Sequence, residues 1–432
     1  MAIEFRPVTE SEIRDYLRVL PYVNGLPQEE PRPSAWYAGH AAWPPQPAPA
    51  SDEDLDRYAE EVRSDWFRPQ AAFVDGRLVG ASAIVSVEVT IPGLRQIPMG
   101  GVTSTAVMAT HRRKGLLRGI MTAMLTDCRE HGEFLVGLSA SEGSIYGRYG
   151  FSPATFQERW ELQRTEAKFR EPVQDSGELD LVDSSTAAEV WPVLHEQLRA
   201  RRVGEISPLP GKWDGLAANA LPPDGSGPAR HLVHRDDDGV VDGAAIFRLP
   251  WSPDPALAGA LEVEAFEALN LDAYRALWGL LTDFDLTNRV VAAKRPVVEP
   301  LRWMLASQRA MRVTRTRDNL WLRILDVTAA LEARAYAVPG SLVLEVSDDL
   351  CEWNAGRWRL DAGPDGATCT AAPAALVDIS LSTTELGSLY LGGVSPGDLL
   401  AAGRISEHRP GAISVLGGML RQDTAPHNAV GF

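Results

Sequence analysis

Cysteine is scarce in this sequence, and long apolar runs are absent. Cys128, Cys351 and Cys369 are the three cysteines in 432 residues, and none of them has the paired spacing of metal ligands. An odd, scattered set excludes a disulfide framework and indicates reduced thiols, so we expect a cytoplasmic protein with no bound metal. No basic-then-apolar segment opens the chain and no apolar run approaches the ~20 residues of a bilayer span, so we expect no membrane association.

Positive charge is also in deficit. The 42 Lys and Arg residues are outnumbered by 58 Asp and Glu residues, which gives a net charge of −16. This deficit disfavours nucleic acid as a partner, because phosphates require a basic footprint. It would attract a polycationic small molecule, although acidity also serves solubility. The length predicts about two to four domains of ~100–200 residues each.

Against this acidic background, residues 107–125 form a locally basic segment. An apolar strand runs into a turn that contains Gly115, and an amphipathic helix follows. The first N–H groups of a helix lack intrahelical partners and carry the positive end of the helix dipole, so such a junction can hold a diphosphate. Gly115 lets an anion approach the backbone. Four side chains add positive charge there: Arg112, Arg113, Lys114 and Arg118.

The spacing of this turn excludes two common phosphate motifs. Gly115 is followed by Leu116 and Leu117, so neither the NTPase loop Gly-x-x-x-x-Gly-Lys-Ser/Thr nor the dinucleotide fingerprint Gly-x-Gly-x-x-Gly is present. The pattern that remains, Arg112-x-x-Gly115-x-Leu117, resembles the coenzyme A motif Gln/Arg-x-x-Gly-x-Gly/Ala of the GNAT acetyltransferases. Leu117 departs from its last position.

A second motif narrows the resemblance. A short buried strand is predicted over residues 134–140, and it leads into Ala-Ser-Glu-Gly-Ser-Ile-Tyr-Gly-Arg-Tyr-Gly-Phe at residues 140–151. Together with Thr-His-Arg-Arg-Lys-Gly-Leu-Leu at residues 110–117, this sequence is similar to the Eis-type N-acetyltransferases. That branch of the GNAT enzymes acetylates aminoglycosides and other amines.

A repeated turn points to two related units. Asp75-Gly76-x-x-x-Gly80-Ala81 is echoed by Asp238-Gly239-x-x-x-Gly243-Ala244, each after a strand-like run. Asp-Gly is a preferred dipeptide of tight hairpins, so both copies predict a hairpin within a domain-scale repeat. The helix predicted from Asn270 in the second copy lacks an Arg-x-x-Gly start. We therefore expect no coenzyme A binding in the second unit.

The resemblance extends over the full length and implies an α+β fold. It implies a catalytic GNAT domain with a mixed sheet at residues 1–165, a degenerate second GNAT-like domain at 166–300, and a sterol-carrier-like domain at 301–432. Within the last of these, residues 342–346, 356–360 and 377–381 alternate as strands should. A helix is predicted to begin near Asp326. Relatives in this family assemble as hexamers, so a homo-oligomer is expected.

The resemblance also assigns catalytic roles. Acetyl transfer from a thioester needs a neutral amine, stabilisation of the tetrahedral oxyanion and a proton for the departing thiolate. By resemblance Tyr146 is the general acid; from the residues alone Tyr149, three positions on, is an open alternative. The general base is implied to be the C-terminal carboxylate of Phe432, which ends an apolar tail and follows Gly431.

The resemblance further implies a binding site for acetyl-CoA, carried over residue by residue. The main chain of Thr105, Ala106 and Val107 should bind the pantetheine arm, and Ser141 and Glu142 should complete the thioester pocket. The remaining positions should hold the pyrophosphate: Arg113, Lys114, Gly115, Leu116, Leu117 and Arg118.

The acceptor is the least constrained part of the interpretation. Seven prolines between residues 27 and 49 predict a long loop that carries Trp36, a candidate substrate contact. The favoured hypothesis is acetyl transfer to small polyamines or aminoglycosides. A protein lysine or peptide acceptor is the second hypothesis, and a non-enzymatic carrier or scaffold built on the C-terminal module is the third.

Overall fold

The computed structural model describes residues 2–13, 15–16, 56, 59–60, 62–173, 177–213, 228–249, 259–285 and 287–432. The predicted proline-rich loop with Trp36 lies outside these residues. The chain forms two compact units. The first unit contains Met1–Thr155, Asn319–Asp423 and Gly431–Phe432, and the second contains Phe156–Asp318 and Thr424–Val430.

The first unit contains a mixed seven-stranded sheet in the order β1-β2-β3-β4-β5-β14-β6. Its strands are β1 (Ile3–Pro7), β2 (Phe67–Val74), β3 (Arg77–Ile91), β4 (Arg95–Val107), β5 (Leu135–Leu138), β6 (Ser152–Pro153) and β14 (Trp321–Ile324). Neighbouring strands are antiparallel except β4 and β5, which are parallel. Asp75 and Gly76 join β2 to β3 with φ of 49° and 77°. Two positive φ values are those of a type I′ turn, so the predicted hairpin is confirmed.

Helix α1 (Leu116–Glu130) connects the two parallel strands. Its apolar residues recur at helical spacing and pack on the sheet through one buried face: Leu116, Ile120, Met121, Met124, Leu125 and Cys128. A four-residue helix, α2 (Gly143–Tyr146), follows β5 and continues into a short 3-10 turn at Gly147–Tyr149. The chain after β5 therefore turns back toward the sheet.

The second unit repeats this design in the order β13-β7-β12-β11-β10-β9-β8. Its strands are β7 (Phe156–Gln163), β8 (Glu178–Val182), β9 (Arg230–Arg235), β10 (Val241–Arg248), β11 (Ala260–Ala268), β12 (Arg289–Pro296) and β13 (Met311–Asp318). Its helices are α3 (Ser184–Arg199), α4 (Leu271–Thr282) and α5 (Leu301–Met304). Strands β11 and β12 are parallel and joined by α4, just as β4 and β5 are joined by α1. The predicted repeat is confirmed.

A third sheet, in the order β17-β16-β15-β18-β19, belongs to the first unit. Its strands are β15 (Gly340–Ser347), β16 (Gly356–Gly363), β17 (Gly366–Ala371), β18 (Ile379–Ser382) and β19 (Ser406–Glu407). The accompanying helices are α6 (Val327–Ala333), α7 (Thr383–Leu389), α8 (Pro396–Ala401) and α9 (Ala412–Leu420). Asp326 caps α6 by accepting from the N–H of Ala329, as the sequence predicts.

Two strands join sheets that their sequence positions do not suggest. Strand β7 follows β6 directly but pairs with β12 and β13 of the second sheet. Strand β14 lies after the second sheet in the chain but pairs with β5 and β6 of the first. We expected the residues of β14 to belong to the C-terminal module. A sheet boundary does not by itself define a folding domain, so the domain limits 1–165, 166–300 and 301–432 stay a prediction.

Among the residues described, no helix is both long and apolar enough to span a bilayer.

Candidate active site

The site is built where β4 and β5 separate. They pair in parallel at Gly100–Val136, Gly101–Gly137 and Val102–Leu138, after which β5 ends and β4 continues. On its other side, β4 stays paired with β3, but the register shifts next to Ser104, whose φ is +54°. A bulge of this kind turns a strand locally. Beyond Val102, the edge of β4 that faced β5 is therefore released from strand pairing with it.

The three residues predicted to bind the pantetheine arm lie on this released part of β4. Ala106 and Val107 pair with β3, while Thr105 is half-buried next to the bulge. The Oγ1 of Thr105 lies 2.7 Å from the Oγ of Ser82 in a hydroxyl–hydroxyl hydrogen bond. The side chain of Thr105 is thus oriented by β3.

The basic turn lies at the start of α1. Gly115 is the N-cap with a φ of +79°, and no side chain accepts a hydrogen bond at this cap. The N–H groups of the first helical turn are therefore left to solvent or a ligand. Arg113 also has a positive φ, +63°, which is unusual for a residue with a Cβ. The surrounding cationic side chains are exposed: Arg112, Arg113, Lys114 and Arg118. The predicted phosphate-binding residues are brought together, and the turn has the donors and the charge that a diphosphate needs.

Tyr146 is brought to the gap between the separated strands. Ser141 and Glu142 follow β5 and are exposed, and α2 then returns the chain so that Tyr146 is only 7% exposed. Burial raises the pKa of Tyr146, while hydrogen bonding with the side chains of Ser141 and Thr105 opposes that rise. The Tyr146 hydroxyl thus interacts with one residue that follows β5 and with one on the released part of β4.

Tyr149 has a different environment. Burial raises the pKa of its hydroxyl too, but the opposing groups are the guanidinium charges of Arg148 and Arg118. The sequence left either Tyr146 or Tyr149 as the candidate general acid. The two side chains differ in their neighbours, because Tyr146, not Tyr149, interacts with Thr105 and Ser141.

The C-terminal residue, Phe432, packs against β4. The ring of Phe432 packs over Gly101, where an added Cβ would stand 3.0 Å from its Cε2 and 3.1 Å from its Cδ2. The same added Cβ would stand 2.8 Å from Val85 on β3. Glycine at position 101 thus makes room for the ring. In the second unit, the preceding tail is fixed, since the N–H groups of Ala429 and Val430 donate to the Glu205 carboxylate at 3.0–3.3 Å.

Some residues around the site have no counterpart in the sequence interpretation. These are Ser104 in the bulge, and Trp321 and Arg323 on β14. Arg323 carries a sequence signal, because it is a single charge in the apolar run Leu-Trp-Leu-Arg-Ile-Leu, and a charge in a buried strand needs a specific partner. The bulge leaves no such signal.

The sequence agrees with known families over most of its length. Residues 4–154 and 210–324 each match an acetyltransferase (GNAT) domain, and residues 327–429 match a sterol carrier protein domain. The third sheet and its helices fall within the last of these matches.

Individual proteins show the same relationship. An N-acetyltransferase of Streptomyces coelicolor is 36% identical over 400 residues, 90% of this chain and 94% of that protein. The N-acetyltransferase Eis of Mycobacterium tuberculosis is 34% identical over 336 residues, 76% of this chain and 79% of that protein. The crystal structure of Eis1 from Mycobacterium abscessus has a TM-score of 0.82 at 29% identity and covers 99% of this chain and 100% of that one. The chain therefore belongs to the Eis-type branch of the GNAT acetyltransferases, and it is an acetyl-CoA-dependent N-acetyltransferase.

Proposed function

We propose that this enzyme transfers the acetyl group of acetyl-CoA to amines of small polycationic molecules of the aminoglycoside or polyamine class, by direct attack, with Tyr146 as the general acid. The observation that carries the proposal is the interaction of the Tyr146 hydroxyl with Thr105 and Ser141, at the point where β4 and β5 separate. A thioester carbonyl placed in this gap would have a proton donor beside its sulfur.

The donor is bound by two parts of the first unit. The open first turn of α1, with its exposed cations Arg113, Lys114 and Arg118, binds the pyrophosphate through Gly115, Leu116 and Leu117. The released backbone of β4 from Thr105 to Val107 binds the pantetheine arm as an added strand would. Ser141 and Glu142, exposed at the end of β5, border the acetyl group.

The positions of these groups determine the bond changes and proton transfers of the proposed reaction. The amine nitrogen attacks the carbonyl carbon, the C–N bond forms, the C–S bond breaks, and the thiolate takes a proton from Tyr146. The pKa of Tyr146 is raised by burial, so the hydroxyl is protonated at neutral pH and can serve as the acid. The phenolate is then reprotonated from solvent.

The proton lost by the amine goes to the C-terminal carboxylate of Phe432. Its ring is held over Gly101, one residue before the last β4–β5 pair, and the tail leading to it is bonded through Ala429 and Val430 rather than frayed. A free carboxylate has a pKa of ~3.5 and is a weak base, so a bridging water or partial burial is part of this role.

The acceptor class rests on charge. The net charge of −16 raises the local concentration of polycations and accelerates their encounter with the enzyme. It gives no such advantage to neutral or acidic amines.

The test is release of coenzyme A thiol from acetyl-CoA in the presence of aminoglycosides, polyamines and lysine peptides. We expect Tyr146→Phe to lower kcat about 100-fold or more, as expected for loss of a general acid, with a small change in the KM for acetyl-CoA. Tyr149→Phe is the matched control, because it removes a buried hydroxyl on the same turn, and it should retain most of the activity.

The base is tested by appending one glycine after Phe432, which moves the carboxylate, with Phe432→Tyr as the control that keeps both ring and carboxylate. A loss of tenfold or more in the extended chain supports the role. Full activity in Tyr146→Phe would eliminate the assigned acid, and turnover with lysine peptides alone would replace the proposed acceptor class.

A further inference from the structure

A buried arginine from a distant part of the chain holds the turn that carries Tyr146. Arg323 lies on β14 and is fully buried. Its Nη1 donates to the backbone carbonyl of Tyr149 at 2.6 Å. This carbonyl belongs to the 3-10 turn that continues directly from α2, three residues after Tyr146.

The other end of the guanidinium is fixed by the third sheet region. Nη2 donates to both carboxylate oxygens of Asp348, at 2.9 and 2.8 Å. Asp348 also accepts from the backbone N–H of Cys351 at 3.0 Å and from Asn354 at 3.1 Å. Burial opposes ionisation of Asp348, but the charge of Arg323 and these hydrogen bonds hold its pKa below the usual value. The contacts with Asp348 therefore fix the guanidinium independently of its contact with the turn.

The turn leaves a matching space for this side chain. Gly150 has a φ of +82°, and a Cβ added there would stand 1.5 Å from the Nη1 of Arg323. Glycine is thus required both by the left-handed backbone and by the space that the guanidinium occupies. The second glycine of Tyr-Gly-Arg-Tyr-Gly-Phe is explained by this contact.

Strand β14 supports the beginning of the turn as well. Trp321 lies two residues before Arg323, on the same face of the strand. Its Cζ2 would be 3.7 Å from a Cβ at Gly143, the first residue of α2. The two side chains thus contact both ends of the segment from Gly143 to Tyr149.

We propose that Arg323 is a positioning residue for the acid step, one that fixes the hydroxyl of Tyr146 at the gap between β4 and β5 through its contact with the turn. The proposal rests on the role of Tyr146 under Proposed function. A displacement of about 1 Å in a catalytic group can reduce a rate about 100-fold. A residue that fixes the backbone three positions from Tyr146 can therefore affect kcat.

The experiment is a double-mutant cycle on kcat between Arg323→Lys and Tyr146→Phe. A lysine keeps the charge but has a single nitrogen, so it cannot occupy both the position from which Nη2 binds Asp348 and the position from which Nη1 binds the Tyr149 carbonyl. We expect Arg323→Lys to lower kcat about tenfold or more with the KM for acetyl-CoA within about twofold, and to cause no further loss when Tyr146 is already replaced.

Arg334→Lys is the matched control. Arg334 is equally buried in the first unit and donates to the backbone carbonyls of Tyr390 and Leu420, away from the turn. Its replacement should lower the thermal midpoint without lowering the kcat of the folded enzyme. If Arg323→Lys does not fold, Asp348→Asn takes its place in the cycle, because it weakens the clamp and leaves Arg323 present.

The variants of this cycle distinguish the positioning role of Arg323 from the acid role of Tyr146. A normal kcat in folded Arg323→Lys overturns the positioning role. An equal loss with and without the Tyr146→Phe substitution also overturns it, since an effect independent of the hydroxyl does not act through it. If Tyr146→Phe alone has full activity, the proposed acid fails, and the positioning role that depends on it fails for that separate reason.

Discussion

In both seven-stranded sheets, two parallel strands separate after a short run of pairing, but the two gaps are lined differently. In the first sheet the last pair is Val102–Leu138. The third residues beyond it are Thr105 and Ser141, whose side chains lower the pKa of Tyr146 against the effect of its burial. Residues with hydroxyl side chains thus follow the last pair on both strands of this gap.

In the second sheet the last parallel pair is Val263–Ala292. The third residues beyond it are Phe266 and Arg295, and these are bonded to each other: the Nη1 of Arg295 donates to the Phe266 carbonyl at 2.8 Å. Trp278 of α4 stacks on the Phe266 ring at a centroid distance of 4.4 Å. The edge of β11 that corresponds to the proposed pantetheine-binding edge is therefore already hydrogen-bonded.

The helices that follow these strands differ in the same way. Helix α1 starts at a glycine without a side-chain cap. Helix α4 starts at Asn270, whose Oδ1 accepts from the N–H of Ala273 at 2.9 Å, and Asp272 adds a negative charge in the first turn. Such a start satisfies one of the free donors and repels phosphate. The two units thus share a fold but differ at the two features proposed to bind the coenzyme, the helix start and the strand gap.

The largest effect that this comparison leads us to expect is on stability. Arg295 is buried with Glu299, to which its Nε donates at 2.9 Å. Replacing Arg295 by methionine leaves that carboxylate without its cationic partner, with only the Tyr274 hydroxyl still donating to it, so we expect the free energy of unfolding to fall by about 3–5 kcal/mol. Urea denaturation would measure the loss. A tenfold change in the kcat of the folded variant would contradict a purely structural role for the second gap.

The next effect should be on donor binding. Arg113→Gln combined with Arg118→Gln removes two cations from the start of α1, and we expect the KM for acetyl-CoA to rise about 10- to 100-fold, or about 1.4–2.7 kcal/mol, with kcat nearly unchanged. The difference from wild type should shrink as salt is added. Arg275→Gln in the second unit is the control and should leave the KM unchanged. An unaltered KM in the double variant would remove the α1 turn from the donor site.

The sequence predicted those parts of the structure that depend on local chemistry. The Asp-Gly hairpins, the glycine start of α1, the Asp326 cap and the repeat were all visible, because turn and cap residues act within a few positions of one another. The exchange of β7 and β14 between the sheets was not, since strand pairing between distant segments leaves no local pattern. The same reason hides the partners of Arg323, since Tyr149 and Asp348 are 174 and 25 residues away from it.

A smaller effect is expected on the pH dependence of stability. Burial and the charges of Arg202 and Arg295 together lower the pKa of His427 to about 3, against an opposing effect of Glu267. The unfolded chain, with a histidine pKa of ~6.5, therefore binds a proton that the folded chain does not, and stability falls as pH drops below that value. Between pH 7.5 and 5.5 the loss from His427 should be about 1.3 kcal/mol.

His427→Gln tests this assignment. The variant should show a shallower decline in the free energy of unfolding over that pH window, measured by denaturant titration at each pH. The pKa of His231 is also lowered, so the wild type and the variant share its contribution and the difference between them isolates His427. Parallel pH profiles would assign the decline to other groups.

The smallest expected effect tests most directly what distinguishes the starts of α1 and α4. Asp272 is exposed in the first turn of α4, and Asp272→Arg would give that helix start a cation. We expect a loss of only about 0.3–1 kcal/mol from the reversed interaction with the helix dipole, seen as a small shift in the thermal midpoint. Calorimetric titration with coenzyme A should still give one equivalent per chain, because Asn270 still caps the helix and Arg295 still bonds the Phe266 carbonyl. A second equivalent would mean that charge alone distinguishes the two units. One equivalent would mean that charge alone is not enough, and that the helix cap or the strand gap must also be free for the coenzyme to bind.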